Sequence, residues 1–156
     1  MRVAMLRSAV VLATHGGALP RLMLPMRLGV GGRLGNGRQW FPWITLDDEV
    51  RAIEFALTHE AMRGPFNSAA TGVVTNSEFI KALARAMHRP ALFPAPAFGL
   101  RLLLGEMADE LLLFSQRVVP RKLLEAGFAF EHADVESALA AVLGTPPRAA
   151  PALKTY

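Results

Sequence analysis

The chain has 156 residues, of which 52% are hydrophobic and 19% charged, so its composition is globular and not disordered. Cysteine is absent, which excludes a disulfide framework, a thiolate metal site and a cysteine nucleophile. The net charge of +4 is unevenly placed: Arg2, Arg7, Arg21, Arg27, Arg33 and Arg38 all precede Asp47, the first acidic residue, and such a basic front suits an anion.

Residues 2–12, RVAMLRSAVVL, are β-rich with few polar positions. They predict a strand buried on both faces of a parallel sheet. Gly16 and Gly17 end it. ALPRLMLPMRL predicts a short helix whose length Pro25 limits. GVGGRLGNGR is a glycine-rich loop, and WFPWITL reads as a second strand with Pro42 at a bulge or edge. Thr45 or Asp47 caps the next helix, with Thr45 and Asp48 at capping-box spacing. Val50, Ile53 and Leu57 form its apolar stripe.

GPFNSAA reads as a short strand. Thr75 and Glu78 make a second capping box, and Phe79, Leu83 and Met87 line one face of the helix it opens. Pro90 stops that helix. Pro96 suits the first turn of a long helix through about residue 116. Pro120 opens another short helix, which Gly127 ends in a left-handed cap. Phe128 to Phe130 predict a small strand. Asp134 caps a last helix that buries Val135, Ala138, Leu139 and Val142, with Gly144 after it. GTPPRAAPALKTY is expected to be a mobile tail. The order of elements is α/β in class.

No complete catalytic constellation is present. From Gly29 the sixth position is Leu34, so the glycine cluster misses the dinucleotide fingerprint. A helix precedes that cluster and a strand follows it, the reverse of what a phosphate cradle needs. Arg33 and Arg38 are candidates for a pocket edge that faces an anion. Trp40, Phe41 and Trp43 are core aromatics or, alternatively, a base-stacking surface. Asp47, Asp48 and Glu49 suit the positive end of a helix. Glu106, Asp109 and Glu110 share a helix face, best read as solvated, and with Arg101 they interrupt the longest apolar run. His15, His59, His88 and His132 lack metal-ligand spacing, so no metal site is expected. His15 follows a strand, where ligands gather in α/β sheets. The only tyrosine is Tyr156, so no Tyr-x-x-x-Lys pair exists, and no G-x-S-x-G elbow occurs.

Several stretches together resemble a known family. They are RSAVVLATHGGAL, LGVGGRLGNGRQWFPWITLDD, GPFNSAA, the long run LARAMHRPALFPAPAFGLRLLLGEMADELLLFSQRVVPRKLLEAGFAF and the closing VESALAAVL. From Arg2 to about Leu143 the chain is similar to the C-terminal half of an epimerase-family protein. This is an atypical short-chain dehydrogenase/reductase group of the NAD-dependent epimerase/dehydratase kind, with an added C-terminal domain of unknown function.

The resemblance implies a partial Rossmann-like fold without its N-terminal half, with a helical C-terminal domain. Residues 1–93 would be the NAD(P)-binding domain's C-terminal part, 94–143 the added domain and 144–156 the tail. In this family the glycine-rich NAD(P) loop lies in the N-terminal half, so tight cofactor binding by this chain alone is not expected. By the same analogy Ser8, Ala9 and Val10 would line the nicotinamide. His15, Gly16 and Gly17 would sit at the substrate mouth, and Arg38, Gln39, Trp40 and Trp43 would border the substrate pocket. Family members often have His at the position of Thr45 and Thr-Gly at Ser8-Ala9. The expected partners are an unidentified small-molecule substrate and either the missing half or a second copy at an exposed sheet edge. Neither nucleic acid nor a membrane is expected, and the expected location is cytoplasmic.

Overall fold

Two strands leave the basic N-terminus almost in line, yet each joins a different neighbour. The computed structural model describes residues 2–91, 105 and 115–145. Strand β1 (Ala4–Ser8) pairs in parallel with β5 (Gly64–Ser68), with Arg7 opposite Asn67 and Ser8 opposite Ser68. Strand β2 (Val10–Leu12) pairs in parallel with β4 (Trp43–Thr45). Ala9 is the joint: its N–H donates to Ser68 O, and the next N–H, of Val10, donates to Pro42 O. The expected single strand is therefore two. Nor is β1 buried on both faces: Leu6 is half-buried and its other residues are exposed, and among the described residues it has a neighbour on one edge only.

Helix α1 (Ala18–Arg27) runs two residues past Pro25. The buried Pro25 ring sits inside the helix and does not end it, and its carbonyl accepts from Val30 N–H beyond the helix. Pro42 divides the second predicted strand, as its missing N–H requires. The first piece, β3 (Trp40–Phe41), pairs antiparallel with β6 (Val74–Thr75), and the second is β4.

Helix α2 (Leu46–Thr58) has Thr45 as its N-cap, accepting from Asp48 N–H at 3.3 Å. Its expected stripe faces outward: Val50, Ile53 and Leu57 are 45, 41 and 71% exposed. The buried face is instead Asp48, Glu49, Ala52 and Ala56. Two alanines let the helix lie close to the sheet, and partners from distant segments satisfy both carboxylates. At the far end Arg2 donates to the carbonyls of Ala56, Leu57 and His59, groups a helix C-terminus leaves unpaired.

Helix α3 (Asn76–Ala86) opens with the reciprocal Thr75–Glu78 capping box and buries Phe79 and Leu83. It ends before Pro90, after Met87 as C-cap and His88 in a left-handed conformation. Helix α4 (Arg121–Glu125) starts after Pro120, and Gly127 follows at a φ of 87°. Residues 128–130 are not a strand. Phe128 packs edge-on against Phe55 and Phe130, ring contacts that take the place of ladder pairing. Asp134 caps helix α5 (Val135–Leu143), which ends at Gly144 in the left-handed region. The expected long helix after Pro96, the acidic face with Glu106 and the tail beyond residue 145 lie outside the described residues, as does the expected boundary at residues 93 and 94.

Two apolar clusters hold these elements. One joins α1, β2 to β4, α3 and α5 around Leu12, Trp43, Phe79 and Leu139. The other joins α2, β5 and α4 around Ala52, Phe66, Leu123 and Phe128. No described helix is long and apolar enough to cross a membrane.

Candidate functional site

In open parallel sheets ligands gather beyond the carboxyl ends of the strands. Here β1 and β5 end side by side, and a cleft of about 420 Å³ opens there. Arg7, Ser8, Ala9, Pro42, Asn67 and Gln116 to Val118 line it. The strap carrying Gln116 to Val118 is tied at both ends. Trp40 N–H donates to Ser115 Oγ at 3.2 Å, and Asn67 Nδ2 donates to Val119 O at 3.5 Å. The Arg117 guanidinium lies over the Trp40 ring, 5.6 Å from its centroid.

Beneath the strand ends sits a buried carboxylate. Glu49 is 6% exposed and accepts from Ser8 Oγ and Ser68 Oγ, each at 2.5 Å. It staples the last residues of β1 and β5 to α2. Its neighbour Asp48 is fully buried and accepts from Glu131 N–H and His132 N–H at 2.9 Å each. Arg51 Nη1 reaches the same carboxylate at 2.6 Å. Asp48 thus binds the loop before α5 to the start of α2, and His132 Nδ1 lies 3.4 Å from Thr45 Oγ1.

A family model described as a domain of unknown function, DUF1731, matches residues 95–142. An epimerase family protein of Mycobacterium leprae is 45% identical over 138 residues, which cover 88% of this chain and 45% of that protein. An epimerase family protein of Mus musculus, SDR39U1, is 41% identical over 139 residues, covering 88 and 47%. The crystal structure of human epimerase family protein SDR39U1 (isoform 2) with NADPH superposes with a TM-score of 0.83 at 34% identity, covering 92% of this chain and 48% of that one. The chain is thus similar to part of each of several proteins named as epimerase family members. It spans about half the length of the curated relatives it matches. A UDP-glucose 4-epimerase of Thermus thermophilus in complex with NAD has a TM-score of 0.60 at 18% identity, a likeness of fold alone.

Ser8 and Ala9 are the sequence-predicted positions that line the cleft. Val10 is half-buried and hydrogen-bonded into the joint between strands. His15, Gly16 and Gly17 are exposed in the turn after β2, the two glycines at φ values of 89° and 73°. Arg38 is exposed, and Gln39 is buried with Nε2 donating to Leu34 O. Trp40 adjoins the cleft through Arg117. Trp43 is a core residue, 1% exposed, with Nε1 donating to Gly72 O at 2.9 Å. Sequence reasoning missed Arg7, Asn67, Arg117 and Glu49 as site residues. The first three lie inside stretches that carry the family resemblance, which was the available signal. Glu49 had none, since helix-start acids ordinarily serve the dipole. No group of three metal-ligating side chains occurs among the described residues.

Proposed function

We propose that this chain supplies the substrate side of the pocket of an NAD(P)-dependent epimerase/dehydratase-like protein. The observation that carries this is the cleft at the joined ends of β1 and β5, lined by Ser8 and Ala9. Its position suits the reactive end of a dinucleotide. The pyrophosphate end has no cradle in the described residues: the glycine cluster lies between α1 and β3, not between a first strand and its helix. A bound nicotinamide supplies hydride transfer; the residues of this chain orient the groups beside it. The human relative's structure with NADPH supports the same reading.

The test is a chimera in which this chain replaces the matching segment of the Mycobacterium leprae relative. Calorimetric titration with NADPH should give micromolar affinity for the chimera and none approaching it for the isolated chain. Micromolar binding by the isolated chain, or no binding by the chimera, overturns the reading. A second reading is favoured by β1 itself: paired along one edge, with Val3 and Met5 half exposed, it suits a partner strand from a second copy or a separate N-terminal half. A monomer at high concentration in analytical ultracentrifugation excludes the second copy.

A further inference from the structure

Helices α1, α3, α4 and α5 end in the same way. A residue at the helix end turns left-handed, its N–H donates to the carbonyl three residues earlier, and the next N–H donates to the carbonyl five residues earlier. In three of the four that residue is glycine: Gly29, Gly127 and Gly144, at φ values of 74°, 87° and 66°. In α3 it is His88, at 53°, the one described residue other than glycine with a positive φ. A side chain in this conformation meets a steric cost that glycine avoids. An outlier of this kind directs attention to what the side chain does.

His88 lines a concave site of about 350 Å³ together with Lys81, Ala84, Arg85, Arg89 and Ala91. No carboxylate is among the described residues that line it. Lys81 and Arg85 are four residues apart on one face of α3, and Arg89 carries the basic strip past the helix end. Arg85 also pairs with Glu136 of α5, which holds its guanidinium in place at the rim. The negative end of α3 accounts for one cation in the last turn, and Arg85 already fills that role. It does not account for a histidine where glycine would close the helix without strain. We propose that this site, which shares no residue with the cleft at β1 and β5, binds a small, multiply charged oxyanion. Lys81 and Arg89 supply charge, Arg85 a planar N–H edge and His88 a ring N–H. Its size is that of a small-molecule site. Phosphate and carboxylate groups share the chemistry that these donors recognise.

Binding here does not depend on the proposed function. Pyrophosphate and citrate are titrated separately into the chain by calorimetry at low ionic strength. Saturable binding of at least one is expected, and the tighter of the two names the group recognised. The Lys81→Ala/Arg89→Ala double variant should weaken it about tenfold. His88→Gly should weaken it about threefold or more and raise the melting temperature by about 2–4 °C, since glycine relieves the backbone. All three side chains are exposed, and far-UV circular dichroism checks that the variants remain folded. Absence of saturable binding of both anions overturns the proposal, as does binding that survives the double variant. Tighter binding of a single-stranded oligonucleotide than of either anion overturns the assignment to a small molecule. A His88→Gly variant that binds unchanged, or that melts lower, overturns the role of His88.

Discussion

Asp48 and Glu49 are adjacent, acidic and buried, yet replacing each by its amide should have different consequences. The partners of Asp48 are donors that cannot reverse: the N–H groups of Glu131 and His132 and the Arg51 guanidinium. Asparagine keeps one acceptor oxygen and must turn its NH₂ toward one of those donors. The orientation that keeps Glu131 and Arg51 leaves His132 N–H facing a donor inside the fold. An orphaned buried donor costs about 1–3 kcal/mol. Loss of the anion in the first turn adds about 0.3–1 kcal/mol, and Arg51, whose side chain is 36% exposed, adds little because water screens it. Asp48→Asn should therefore cost roughly 2–4 kcal/mol. The partners of Glu49 are two serine hydroxyls, which rotate. Glutamine accepts from one and donates to the other, so Glu49→Gln should cost under about 1.5 kcal/mol. Equilibrium urea unfolding at neutral pH measures both, read as a shift of midpoint at constant slope. A Glu49→Gln cost equal to or above that of Asp48→Asn refutes the reasoning.

Glu49→Ala removes both acceptors and opens a void, and should cost roughly 2–4 kcal/mol in the same urea assay. At Gly72 a Cβ would lie 2.1 Å from Ala133 O, a rigid backbone atom, so Gly72→Ala should destabilise by about 1–3 kcal/mol and lower the melting temperature. The backbone and side-chain hydrogen bonds from Thr75 hold the Glu78 carboxyl below its ordinary range. Its stabilisation is present above the unfolded value of about 4.3 and lost as pH falls through the lower folded value. The Glu78→Gln variant should show a flatter acid limb in a pH series of melts, by under about 1 kcal/mol since the group is exposed.

Much of the local structure was legible because its causes are local. Thr75 and Glu78 satisfy each other's orphan groups within one helical turn, and Asp134 and Gly144 bracket α5 through the same short-range chemistry. Pro42 broke its strand because it lacks an N–H. Pro25 did not stop α1, because its buried ring is held in the core and a proline inside a helix is a cost that packing can offset. Residues 128–130 resemble a strand by composition, but they pair with no strand among the described residues, and aromatic packing takes its place.

The site was only partly legible. Ser8 and Ala9 followed from the family resemblance, while Arg7, Asn67 and Arg117 become neighbours only when β1, β5 and the strap converge. Helix α2 shows most plainly where local reading stops. Its start, with Thr45 and Asp48 at capping-box spacing, is a property of consecutive residues, which the sequence by itself determined. Which face it buries was decided by tertiary structure alone. The rule that an apolar stripe turns inward assumes that carboxylates meet no partners inside. Here Ser8, Ser68, Glu131 and His132, remote in sequence, bring the hydrogen bonds that make the acidic face the buried one.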